Sequence, residues 1–411
     1  MSRRAASQAD GTAAAGEGPS AGRPRHAEIA GAGFGGLVAA VALAQRGWSV
    51  RVHEKTPALR AEGFAIAMQP NMLRVLQALG LGQRVVEGGL LIERRETRNE
   101  RNETTMALRG QGTHRVSRQH IVNVLADAAV RLGVRLEPES PVAGADPAGA
   151  LLLADGRRLA ADLVVGADGV HSAVRDGLGL VADRRQLGDG ATRTLVSRTP
   201  EDIAEDAALG PLTCEYWAGT RRVITSPCSR SELYVVMSCL ASDAAGRAVP
   251  ADVASWSASF PHLAPLFERI VREADPARIR WTAFENVRLQ RWHAGRVAVL
   301  GDAAHAMPPN LGQGSGCAMM NALALAVALD EHAEVESALA AWERRERPLT
   351  EHTQQWSLLY GRVTTWPEWA RSLAFNVLGG IGWVRRRYQR TANHIPTGYR
   401  PDPTPAQGAT P

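Results

Sequence analysis

Lysine, paired cysteines and long apolar runs are all scarce in this chain of 411 residues, and each shortage closes off a class of function. Of 47 basic residues a single one, Lys55, is lysine. Nearly every positive charge is therefore a guanidinium, which stays charged and can grip a carboxylate or phosphate through two parallel hydrogen bonds. The four cysteines, Cys214, Cys228, Cys239 and Cys317, show no CxxC spacing and no histidine at a zinc-like interval. We expect reduced, buried thiols of a cytoplasmic protein and no metal site. Residues 1–25 hold Ala, Gly, Ser and Arg without an apolar run, which argues for a disordered arm and against a secretion signal or membrane anchor. Near the other end, LAFNVLGGIGWV is only 12 residues long, too short to span a bilayer, so a packed helix is expected and membrane contact is not. The net charge of +5 comes from basic residues scattered singly, so nucleic acid is not an expected partner.

What is present begins at Ala27. AEIAG reads as a short buried strand, GAGFGG follows, and LVAAVALAQRG is an Ala/Leu-rich helix closed by Gly47. WSVRVHE then alternates apolar and polar residues as a second parallel strand, completing a βαβ unit. Gly31, Gly33 and Gly36 thus form GxGxxG between strand and helix, where bare backbone can approach a pyrophosphate at a helix N-terminus. Glu54 closes the second strand, where its carboxylate can accept hydrogen bonds from ribose hydroxyls, with Lys55 beside it. Glycines alone would be weak evidence; strand, helix and acid in register point to a dinucleotide.

Further along, NMLRVLQALG and RQHIVNVLADAAVRLG carry helical periodicity, and LLLADGRRL is a hairpin with an Asp-Gly turn. Between about 190 and 290, RTLVSR, LTCEYWAG, RRVITSPC and ELYVVMSCL predict an antiparallel sheet. The strand RVAVLGDAAH and a long Ala/Leu-rich helix then return the chain to the first unit.

Two further segments decide which dinucleotide. DLVVGADGVHSAVR (162–175) and RVAVLGDAAHAMPPNLGQGSG (296–316) resemble the second and third fingerprints of the flavoprotein aromatic hydroxylases, the group typified by para-hydroxybenzoate hydroxylase. The resemblance implies non-covalent FAD and NADH or NADPH as co-substrate. By that likeness Asp168 serves FAD and NAD(P)H, Asp302 meets the ribityl chain, and Gly314, Ser315 and Gly316 open a helix whose N–H groups face the flavin pyrimidine ring. Arg118 matches the family arginine on the pyrophosphate, and Arg60 is a weaker match of the same kind. His305, in the GDAAH turn, reads as structural.

Within this group the chain is similar over nearly its whole length to the oxygenases of 2-methyl-3-hydroxypyridine-5-carboxylate and 5-pyridoxate. AEIAGAGFGGL, GWSVRVHEKTPALRAEG, SPCSRSELYVVM, GRAVPADV and GQGSGCAMMNAL carry that likeness. It implies that Arg193, Arg222 and Tyr234 hold a hydroxypyridine carboxylate. Where that group has two more pocket tyrosines, this chain has Ala67 and Arg95.

The implied fold is α/β: a Rossmann-type FAD-binding domain (26–185 with inserted strands, and 291–335) interleaved with an antiparallel β-sheet substrate domain (186–290). A helical C-terminal segment (336–395) and a tail (396–411) complete it. The implied activity is insertion of one oxygen atom from O2, through a flavin hydroperoxide, into a small aromatic or pyridine-type acid, by a chain that can form a homo-oligomer. Alternatives are a tailoring hydroxylase of a larger natural-product ring and a non-oxygenating FAD-dependent reductase.

Overall fold

The computed structural model describes residues 24–401 apart from 60–63, 276, 364, 368 and 372–380. The early arm, Arg60, the end of the tail and most of the LAFNVLGGIGWV run lie outside the described residues.

Besides a small three-stranded sheet of Val142–Asp146, Ala150–Leu153 and Arg158–Ala160, two large sheets divide the work. The first runs His293–Ala294, Val297–Val299, Leu163–Gly166, His26–Ala30, Ser49–His53, Arg135–Glu137 in spatial order, parallel throughout except for the short edge strand His293–Ala294. Its central strands Leu163–Gly166 and Val297–Val299 are buried along their whole length, as expected where helices cover both faces. The helix Phe34–Ala44 has ten buried residues out of eleven, which is why its sequence shows no polar stripe. It packs against the equally apolar helix Gly314–Glu331 and against Arg118–Arg131, which buries one face only. Gly133, at φ +80°, ends that last helix as a left-handed cap.

The second sheet has eight strands in the order Trp281–Leu289, Val181–Ser197, Glu232–Leu240, Arg221–Pro227, Leu212–Ala218, Gly89–Arg98, Thr104–Ser117, Ala65–Met68. Its pairs are antiparallel except where Leu212–Ala218 meets Gly89–Arg98. Three of its strands come from residues 65–117, ahead of the β-rich block. Strict alternation assigns its faces. Cys214, Tyr216, Val223, Val235, Met237 and Cys239 point back onto a core with Trp256, Phe260 and Phe267 from the helical segment 253–273. From the other face Arg222 reaches Asn310 in the segment that follows the first sheet's strand Val297–Val299. The helix Val335–Val363 closes one side, and the Pro308 carbonyl accepts a hydrogen bond from the Ser357 hydroxyl. No helix among the described residues is long and apolar enough to cross a membrane.

Candidate active site

The glycine loop is shaped by contacts that no side chain could share. A Cβ on Gly31, which sits at φ +94°, would lie 2.3 Å from the Ala167 carbonyl oxygen, and one on Gly36 would lie 2.0 Å from the Gly31 carbonyl oxygen. At Gly33 a Cβ would meet nothing within 4 Å. That open space faces the N-terminus of the Phe34–Ala44 helix, whose first N–H groups have no side-chain cap. An uncapped helix N-terminus bordering open space is a receptor for a phosphate. The Arg118 guanidinium lies 4.7 Å over the Phe34 ring, at the first residue of that helix. Glu54 reaches back into the loop, accepting from the Ala32 N–H at 3.1 Å through one oxygen and from Thr56 through the other. Lys55 is exposed beside it.

The second fingerprint packs beneath the first. Asp168 spends both carboxylate oxygens on its own turn, accepting from the Ser172 hydroxyl at 2.5 Å and the Val174 N–H at 3.2 Å. It thereby fixes the short helix Ala173–Gly177. Arg175, fully buried, donates to the Val170 and Ala303 carbonyls and so staples this turn to the third fingerprint. There Asp302 is exposed, and its Oδ1 lies 4.0 Å from the position of a Cβ on Gly314. Gly316 is crowded instead, with Gln313 Oε1 at 2.8 Å and Asn71 Nδ2 at 2.9 Å from a would-be Cβ. Gly314 and Ser315 are half-buried at the mouth of the helix Gly314–Glu331. This helix terminus and that of Phe34–Ala44 therefore open on the same side of the first sheet, one suited to a pyrophosphate and the other to a ring that becomes anionic.

His305 takes no part in the cleft. It is 1% exposed, bonded through Nε2 to the Asn321 amide at 3.0 Å and packed 5.5 Å from the Trp292 ring, and burial pushes its imidazole down to about 4. The four thiols are free and buried, and burial pushes Cys317 up to about 12 and the others to about 11. An imidazole this weakly basic, enclosed and bonded to Asn321, is no general base for the cleft, and protonated thiols are no nucleophiles.

On the second sheet the register brings the three expected substrate residues to one face. Arg193 stands opposite Val236, Leu195 opposite Tyr234, and Arg222 opposite Ser238, so Arg193, Tyr234 and Arg222 all point the same way. Their surroundings differ. Arg222 is buried, pairs with Glu215 at 3.3 Å, donates to Asn310 at 3.4 Å and lies 5.3 Å from the Trp217 ring. Arg193 is half-buried, 5.7 Å from the Phe284 ring. Ala67 pairs with Arg115, which the sequence reading passed over. Arg115 shares the same face, donating to the Ser226 hydroxyl at 3.0 Å with its guanidinium 5.8 Å from the Tyr234 ring. Arg95 is exposed at the neighbouring strand. Tyr360 and Tyr388, from the helical C-terminal segment, sit 6.2 Å apart; burial raises the Tyr360 phenol, and Tyr388 is exposed beside it. A cavity of about 330 Å³ lies beside them, lined by Leu187, Asp189, Pro308, Asn310, Leu358 and Gly361 among others. Burial raises the Asp189 carboxyl there, against the opposing charge of Arg222.

A family described as FAD binding domain matches residues 26–357. This chain belongs to the FAD-dependent aromatic hydroxylase family. A protein of Rhodococcus erythropolis named as a 2-heptyl-3-hydroxy-4(1H)-quinolone synthase is 38% identical over 91% of this chain and 97% of its own length. The crystal structure of 2-methyl-3-hydroxypyridine-5-carboxylic acid oxygenase superposes with a TM-score of 0.81 at 38% identity, covering 91% of this chain and 97% of that one. That of Klebsiella pneumoniae HpxO complexed with FAD and uric acid gives 0.73 at 25% identity over 90% and 95%. The hydroxylase is thus an enzyme, a flavin monooxygenase whose cofactor is FAD. The open space at Gly33, the helix end with no side-chain cap and the uncrowded Gly314 suit that cofactor.

Proposed function

We propose that the enzyme consumes NADH or NADPH and inserts one atom of O2 into a small planar aromatic or pyridine-type ring that carries a carboxylate and an ionisable hydroxyl. The carrying observation is that Arg193, Arg222 and Tyr234 share one sheet face, a cationic wall with a phenol in it. Reduced FAD, when bound, supplies the activated oxygen. The chain's own residues do the rest. Gly31, Gly33, Gly36, Glu54 and Arg118 hold the adenosine diphosphate end, Asp302 the ribityl chain, and Gly314, Ser315 and Gly316 present N–H groups that favour negative charge on the ring. Asp168 keeps the second fingerprint in shape, and Lys55 adds positive charge at the ribose end. Arginines bind the acid and thereby favour the ionised hydroxyl of an electron-rich ring; Tyr234 orients that hydroxyl. Since His305 and the thiols are out of reach, the ring oxygen itself drives the attack, and no protein nucleophile is used.

The relative named as a quinolone synthase favours a second reading, an alkylated bicyclic ring, and Ala67 gives it room. The chain works in the cytoplasm and as a homo-oligomer, in keeping with the tetrameric form of the solved hydroxypyridine oxygenase.

A panel of hydroxylated pyridine and benzene carboxylates and 4-quinolones, screened for stimulation of NAD(P)H oxidation under 18O2, tests this. The expected result is an aromatic acid that stimulates oxidation and gains one labelled atom. Stimulation without label would make the protein a reductase, and stimulation by neutral quinolones alone would favour the second reading.

A further inference from the structure

Among the described residues, one of the three arginines buried within the strands of the second sheet has no acid paired with it. Arg94 holds Glu96 at 3.3 Å and Arg222 holds Glu215 at 3.3 Å; elsewhere, fully buried Arg175 holds Asp176 at 2.8 Å. Arg115, 9% exposed, donates through Nε to the Ser226 hydroxyl at 3.0 Å and through Nη2 to Thr213 at 3.5 Å, and no carboxylate pairs with it among the described residues. Its other charged neighbour is Arg95, which repels it, and burial pulls its guanidinium down to about 10. A buried cation without a counter-charge is costly, and enclosure in low dielectric makes it a strong site for any anion that arrives.

We propose that Arg115 is the seat of the substrate's negative charge: the aromatic acid lies against Tyr234 with its carboxylate on the Arg115 guanidinium. Arg222, already neutralised by Glu215, takes no part in that ion pair and serves as wall. The proposal rests on the aromatic-acid reading above and moves its anchor from the pair Arg193 and Arg222 to a residue on a different strand. Three features prepare Arg115 for the role. Ser226 and Thr213, themselves 2.7 Å apart, hold the guanidinium in one orientation, so little freedom is lost on binding. Of its two cross-strand neighbours, Leu90 and Ala67, the second has a small side chain that leaves space where a larger one would cover the cation. Finally, Tyr234 offers a ring face within 5.8 Å, against which a planar acid can stack.

The test uses the FAD-loaded full chain, with equilibrium binding read from the flavin absorbance change. The probes are 2-methyl-3-hydroxypyridine-5-carboxylate and its neutral 5-carboxamide. Arg115→Gln should weaken the acid by about tenfold to a hundredfold and leave the amide nearly unchanged, the size expected for losing a charged hydrogen-bond pair. Arg115→Lys, which keeps the charge without the fork, should fall between. FAD affinity should not move, and the melting temperature of the ligand-free Gln variant should hold or rise because an unanswered buried charge is gone. Equal weakening of acid and amide together with a lower melting temperature would mean a structural arginine and overturn the idea. So would unchanged acid binding in Arg115→Gln combined with weakened binding in Arg222→Lys, which returns the anion to Arg222. If neither probe binds the parent enzyme, the aromatic-acid reading itself has failed and the proposal falls with it.

Discussion

The cofactor cradle and the substrate face are built by opposite means. In the cradle the chemistry is done by backbone, and what matters is the side chain that is missing: Gly31 and Gly36 touch backbone where no Cβ fits, while Gly33 leaves room for a guest. On the eight-stranded sheet the backbone is fully spent on pairing, and the chemistry is done by long side chains sorted to one face by alternation. A backbone site tolerates almost no substitution at its key positions. A side-chain site can exchange one arginine for another on a neighbouring strand without disturbing the pairing of the sheet.

The largest effect that could break this contrast lies at Gly36. Alanine there puts a Cβ 2.0 Å from a backbone oxygen, so we expect a penalty at or beyond the top of the roughly 1–3 kcal/mol usual for overpacking, with FAD lost on purification. Gly33→Ala meets no protein atom and should leave the apoprotein's melting temperature alone while weakening FAD. Equal behaviour of the two variants, by calorimetry and flavin content, would erase the distinction between a packing glycine and a receiving one.

Next comes His305, which belongs to the cradle's support. Its imidazole is about 4 in the fold against an ordinary 6.5, so the unfolded chain binds the extra proton first. The stability this represents is full above pH 6.5 and is lost as pH falls through 4, up to about 3 kcal/mol. In urea unfolding, His305→Gln should flatten the acid side of the pH–stability curve relative to the parent; parallel curves would mean that the ring already titrates normally.

The smallest effect is a control on the sheet side, at the exposed helix Pro200–Leu209. Thr199 and Asp202 form a reciprocal cap, Thr199 Oγ1 accepting from the Asp202 N–H at 3.1 Å and Asp202 accepting from the Thr199 N–H at 2.8 Å. Thr199→Ala should cost about 1 kcal/mol and change neither FAD nor ligand affinity. A drop in ligand affinity would show that the substrate face depends on distant sheet edges.

The two regions were also unequally legible. Gly31, Gly33 and Gly36 could be picked out from the sequence because glycine has few substitutes where backbone must approach a ligand, and Glu54 because an acid closes the next strand; Asp302 came from the family likeness. Arg193, Arg222 and Tyr234 were found by likeness, and alternation then put them on one face. Arg115 was invisible for a physical reason: in RGQGTHRVSRQH nothing local distinguishes it from Arg109, and its surroundings depend on pairing with Ala67 and on hydroxyls from strands about a hundred residues away. Nor could the strands of 65–117 be assigned to the second sheet from local pattern, since Gly89–Arg98 joins it through a parallel pairing that no hairpin announces.

The staple at Arg175 carries a consequence in time. Its guanidinium grips the Ala303 carbonyl, the strand Val297–Val299 extends the sheet that begins at His26, and the helix Gly314–Glu331 covers the first helix. During synthesis the glycine loop leaves the ribosome almost three hundred residues ahead of the helix that completes its enclosure. A nascent chain therefore exposes an apolar helix and a half-built pocket through most of its translation, and cofactor capture is a late event, coincident with closure of the parallel sheet.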